Sequence, residues 1–205
     1  MDVYGSEVTE ATVKRQPGYV KDTPVTKYDK AKLAIQMIND ESKRDRAIAY
    51  LKDLEEKYSG VNGVATKGLI YNGTGETLTY IKKHDYAGHY GDSMPPSEIR
   101  NGQWGVFFHQ KASYVPGASE GALVYGLDGA DCMMSWWTRW AGQNHCYAEI
   151  RGKGHFDDTV WGVVEDKMWK VEENKWTETA NPHQISTAIG DTSICEYSAV
   201  VKLLY

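Results

Sequence analysis

The chain has 205 residues, 41% hydrophobic and 25% charged, with a formal net charge of −5 and a pI near 5.7. That length can bury a core without disulfide or metal staples, and the balance is that of a globular chain, not a disordered one. The acidity, with no basic stripe, excludes a nucleic-acid partner and a general electrostatic hold on anionic lipid, and leaves zwitterionic lipids, sterols and sugars open.

Residues 1–25 read as a polar, irregular arm, laid on the domain or frayed, with Pro17, Gly18 and Pro24 as breakers. Residues 26–205 read as one β-sandwich domain that includes two helices. Thr26 and Asp29 have capping-box spacing and open a helix at about 26–40, with Ala31, Ala34, Ile35 and Ile38 on one face. A second helix at about 42–58 carries Ala47, Ile48, Leu51, Leu54 and Tyr58 on its apolar side, with Gly60 as its stop. Its other side is a solvated charge surface. From Ala65 onward the periodicity becomes two, with turns every ten or so residues, which signals a β-sandwich or barrel. The predicted strands are 65–71, 78–84, 102–110, 120–126, 130–136, 145–150, 161–166, 170–176 and 197–204, and 186–193 is a strand or a loop.

No apolar run reaches the length of a membrane span, and the first residues lack the basic and apolar regions of a signal peptide. The expectation is a cytoplasmic chain, or one secreted by an unconventional route, peripheral to a membrane when bound. Cys132, Cys146 and Cys195 match no zinc spacing and read as reduced, buried thiols. A bridge between Cys132 and Cys146 across two strands is the alternative.

The stretch 133–150 is the most distinctive. Two strand-like ends flank a loop, and Trp136, Trp137 and Trp140 gather there with Arg139. Indoles pair a large apolar area with one N–H, so they suit a half-wet surface such as an interface or the headgroup level of a bilayer. Trp136 sits in the strand pattern and is open between core and site. Tyr86, His89 and Tyr90 on the loop after the second strand add rings, as does Tyr114. Residues 94–96 and 114–116 read as exposed apolar loop tips. A quaternary ammonium is held by aromatic faces, and its phosphate by an arginine or free N–H groups. His84, Asp85 and His89 match no established ligand spacing and read as ordinary loop residues, so neither a metal nor a cofactor is expected. No Gly-x-Ser-x-Gly elbow and no array of nucleophile, base and orienter is visible, so the expectation is a protein that is not an enzyme.

Several segments carry a resemblance. Residues 71–78, 84–89 and 101–104 with His109, then Ser135, Trp136, 147–150, Gly152, Gly154 and His155, resemble the plant 23 kDa jasmonate-induced proteins. The turn 72–77 and the strand 121–125, followed by a hairpin with a serine in the strand and aromatics in the loop, are similar to the actinoporins and the nakanori-like family. The proline and tyrosine that follow that serine in actinoporins are replaced here by Trp137 and Thr138. The resemblance implies a mainly β fold, an actinoporin-like β-sandwich with an N-terminal pair of α-helices. It also implies recognition of sphingomyelin with cholesterol without pore formation. The expected lipid-contacting residues are Trp136, Trp137, Arg139, Trp140, Tyr86, His89, Tyr90 and Tyr114. Glycans, or a protein partner in stress or defence, are the alternative partners.

Overall fold

The structure, a computed structural model, describes residues 3–20, 23–91, 93–112 and 116–204, and at 59–62 the backbone alone. Strand β1 (Val3–Tyr4) and helix α1 (Glu10–Lys14) form the arm, and the arm is docked. Val8 is buried against Leu33 and Ala34, and the Asn101 side-chain amide donates to the carbonyls of Val8 (2.9 Å) and Lys30 (3.1 Å). Helix α2 (Lys27–Gln36) starts as its sequence predicts. The Thr26 hydroxyl accepts from the Asp29 N–H at 3.2 Å, and the Asp29 carboxylate accepts from the Thr26 N–H at 2.8 Å. Helix α3 (Lys43–Asn62) runs past the expected stop at Gly60 and ends at Gly63, whose φ of 67° is the left-handed stop glycine supplies without strain.

Two sheets follow. The first orders its strands as β1, β6 (Trp104–Gln110), β2 (Ala65–Gly73), β12 (Ile194–Leu203), β11 (His183–Ile189) and β10 (Lys175–Ala180), with β4 (His89–Tyr90) also on β6. Strands β2 and β12 are parallel. The second orders β5 (Glu98–Ile99), β3 (Leu78–Ala87), β7 (Ser119–Leu127), β8 (Ala130–Thr138) and β9 (His145–Gly152). Between the sheets Ile70, Phe107, Tyr197 and Val201 meet Leu123, Tyr125, Met134 and Trp136. Each such side chain contributes roughly 1.5–3 kcal/mol by leaving water.

Both outer faces carry a helix. Ala47, Leu51 and Leu54 of α3 cover Leu69, Tyr71, Trp104 and Phe108. Trp161, Val164 and Met168 of α4 (Trp161–Trp169) cover Ala122, Val124, Met133 and Tyr147. This corrects the strand expected at 161–166. The valines favour a strand, but the buried positions follow helical spacing and the helix buries a continuous face. Strand β10 begins only at Lys175, and of the stretch 186–193 the part up to Ile189 is the end of strand β11. All three cysteines are free and buried. Register places Cys132 opposite Ile150 and Cys146 opposite Trp136, so the two cannot face one another.

Candidate functional site

Register gathers several turns at one end of the sandwich. Ala87 faces Glu120, Ser119 faces Thr138, Trp137 faces His145, and His89 faces Gln110. The segments around 88, 111–112, 116–118 and 139–144 therefore share that end. Tyr114 lies outside the described residues. The apolar stretch 94–96 instead belongs to the crossing between the sheets, where the Pro96 carbonyl accepts from the Tyr125 hydroxyl at 2.8 Å.

The pleat of β8 sends its adjacent tryptophans to opposite faces. Trp136 points inward and is 0% exposed, with ring centroids 4.7 Å from Phe107, 5.3 Å from His109 and 5.9 Å from Tyr197. Tyr90 packs in the same cluster, edge-on to His109 at 4.8 Å. Trp136, open between core and site in the sequence, and Tyr90, expected at a ligand surface, are both core residues. Trp137 points outward, where its ring meets Trp169 of α4 at 5.2 Å and His145 at 5.3 Å. The Arg139 guanidinium sits 4.5 Å from the Trp137 centroid. That contact is a cation on an aromatic face, made by the protein's own side chain.

Trp140 is 69% exposed and leans over Gly63, where an added Cβ would come within 2.5 Å of its ring. A shallow groove of about 410 Å³ runs between Gly117, Ala118, Trp137, Arg139, Trp140 and Ala141. Asn144 holds the loop. Its side-chain oxygen accepts from the Arg139 N–H at 2.8 Å, and its amide donates to the carbonyls of Gly190 (2.7 Å) and Thr192 (2.9 Å). The His145 ring nitrogen Nδ1 lies 2.8 Å from the Val171 carbonyl, just beyond the end of α4.

Tyr86 is half-buried, and its hydroxyl donates to the Trp161 carbonyl at 2.9 Å. His84 stacks on Trp161 at 4.7 Å, and burial pushes its pKa down. These rings anchor α4. His89 is exposed at the rim, with its ring nitrogen 3.3 Å from the Gln110 amide.

The sequence matches the family model described as Nakanori-like protein over residues 4–204. The chain belongs to the Nakanori-like family. It is 38% identical over 160 residues to a 23 kDa jasmonate-induced protein of Hordeum vulgare, covering 75% of this chain and 74% of that protein. It also matches the crystal structure of the lipid binding protein Nakanori, with a TM-score of 0.89 at 24% identity, covering 98% of this chain and 99% of that one. At that identity the likeness establishes the fold.

Two features of this family member escape sequence reasoning. Trp169 comes to Trp137 only because 161–169 is a helix. Glu120, second residue of β7, is buried beside Trp169, whose indole N–H donates to it at 2.7 Å. Burial pushes its carboxyl up, and the neighbouring Glu165 adds to this against the indole bond, so its pKa is about 7.

A second polar group crosses the core below the loops. His109 Nδ1 lies 2.8 Å from the Ser119 hydroxyl, and His109 Nε2 lies 3.6 Å from Asp85. The three residue types are those of a hydrolytic triad, but Ser119 and His109 are fully buried. The Ser119 hydroxyl also reaches the His109 carbonyl (3.0 Å) and the Thr66 hydroxyl (2.7 Å), which in turn contacts Thr138 at 2.7 Å. This array ties the two sheets together where the aromatic loop leaves them.

Proposed function

We propose that this chain binds membrane lipid through the aromatic end of the sandwich. The headgroup taken is the zwitterionic phosphocholine of sphingomyelin in cholesterol-rich bilayers, and no pore opens. The observation that carries this reading is the outward cluster of Trp137, Trp169 and Arg139 beside the exposed Trp140. Indole faces suit a quaternary ammonium. Arg139 makes no ion pair among the described residues, so its guanidinium is available to a phosphate. Trp140, 69% exposed at a loop tip, suits the depth of the headgroups. The solved relative is a lipid-binding protein, which supports the same class of ligand.

The docked arm supports binding without insertion. β1 is paired into the sheet, and α3 packs on the first sheet from Ala47 to Tyr58. A helix that enters a bilayer must first leave such contacts.

The test is liposome co-sedimentation with phosphatidylcholine, with sphingomyelin, and with sphingomyelin plus cholesterol. The expected result is binding to the sphingomyelin mixtures, lost in Trp137→Ala and Trp140→Ala proteins that still fold, with no dye leakage at saturation. Leakage overturns the pore-free clause. Absence of binding to every mixture, with a glycan-array hit lost in Trp140→Ala, overturns the lipid reading in favour of a sugar.

A further inference from the structure

Glu120 is 5% exposed, and its oxygen Oε1 takes the Trp169 N–H. Among the described residues no lysine or arginine pairs with it. The groups packed around it do not supply a positive charge. From α4 comes Glu165, a like charge. From β3 comes Tyr86, with His84 behind it at 4.5 Å. From β8, Trp137 stands opposite on the neighbouring strand, and Arg139 and His145 both contact that indole ring. A carboxylate enclosed without a counter-ion is costly, and a cation brought by a ligand removes the cost. The cost therefore falls beside the Trp137 and Trp169 rings, the kind of surface that favours a cation, where Trp137 already carries Arg139.

We infer that Glu120 selects the positively charged end of the headgroup at this site, and that mild acid weakens the capture by neutralising it. The inference rests on the lipid reading above and deepens it. Lipids whose headgroup has no cationic end, such as phosphatidylglycerol, meet an uncompensated carboxylate and are rejected. Lipids with a phosphocholine end supply the missing charge. Since phosphocholine itself does not titrate between pH 5.5 and 7.5, a pH dependence in that window belongs to the protein.

The experiment measures binding of the whole chain to sphingomyelin–cholesterol vesicles at pH 7.5 and 5.5, for the wild type, Glu120→Gln and Glu120→Asp. The wild type should bind about tenfold more weakly at pH 5.5, as its carboxylate takes up a proton. Glu120→Gln should be about tenfold weaker at pH 7.5 and change by less than about twofold with pH, while Glu120→Asp keeps the pH dependence. Protonation of His84 would also weaken binding in acid, so the glutamine variant decides. Thermal melts at both pH values confirm that each variant is folded. Wild-type binding that ignores pH, or a glutamine variant with wild-type affinity, overturns the inference and leaves the lipid reading standing. No binding by the wild type at either pH overturns both.

Discussion

Glu120 and Glu149 lie on the same outer face of the second sheet, under the same helix, and the fold treats them in opposite ways. Glu149 is 2% exposed and receives Arg151 Nε at 2.8 Å, Lys167 Nζ at 2.6 Å and the Tyr147 hydroxyl at 2.7 Å. Burial pushes its carboxyl up, but the bonds from Lys167 and Tyr147 and the charge of Arg151 outweigh this and hold it below the ordinary carboxylate range. Glu120 has burial and a like charge on one side of the balance and a single indole N–H on the other. Burial alone therefore does not decide what a carboxylate does. The counter-ion does, and the carboxylate without one is the one beside the aromatic loop.

Each carboxylate can be made to behave like the other. Replacing Arg151 and Lys167 together by methionine turns Glu149 into a second buried, unpaired acid. The expected loss is about 3 kcal/mol, the low end for stranding a buried charge because both cations are partly exposed. Urea unfolding at pH 7 measures it, and a double variant within about 1 kcal/mol of the wild type contradicts the account. Glu120→Gln should do the reverse. With a folded pKa of about 7 against 4.5, the folded state holds this proton more tightly than the unfolded chain. Its contribution is complete below pH 4.5 and is lost as pH rises to about 7. The glutamine variant should therefore exceed the wild type by about 2 kcal/mol at pH 8 and match it at pH 4. A variant weaker than the wild type at pH 8 would show that the ionised carboxylate stabilises the fold.

Smaller changes sharpen the contrast. Trp169→Phe removes the indole donor, costs about 1 kcal/mol, and should move the Glu120 transition upward, readable as carboxyl chemical shift against pH. Glu165→Lys swaps the like charge for a cation at a partly exposed site. It should move the same transition downward with a stability change of about 0.5 kcal/mol. A transition that stays in place in both variants would mean that desolvation alone sets it.

Much of the scaffold is legible in the residues. The Thr26–Asp29 capping box and the Ala47–Leu51–Leu54 face fix the two long helices, because capping and helical spacing are local. The change to period two at Ala65 marks the sandwich. Part of the candidate site is legible as well: the loop of mixed polarity carries Arg139 and Trp140, while Trp137, read as its first residue, still belongs to strand β8. What fails is whatever depends on the far side of a sheet. Helices cover both outer faces, so inward and outward positions of β8 are equally apolar, as Met133 and Met134 show. Nothing local then says that Trp136 faces the core and Trp137 the outside. The same covering hides α4, whose Val163 and Val164 favour a strand until the helix finds the second sheet to pack on. Glu120 stands at a strand start where a solvated acid is usual, and the missing counter-ion exists only in three dimensions.

Asn144 has a kinetic consequence. Its three hydrogen bonds tie the backbone of Arg139 to the carbonyls of Gly190 and Thr192, across the gap between the sheets. The aromatic loop is thus ordered before any ligand arrives, and little freedom remains to be lost on contact. Stopped-flow mixing with vesicles should then show a single phase whose rate rises in proportion to lipid, with no slower closing step. Asn144→Ala should add that second phase while leaving Trp137 and Trp140 in the chain.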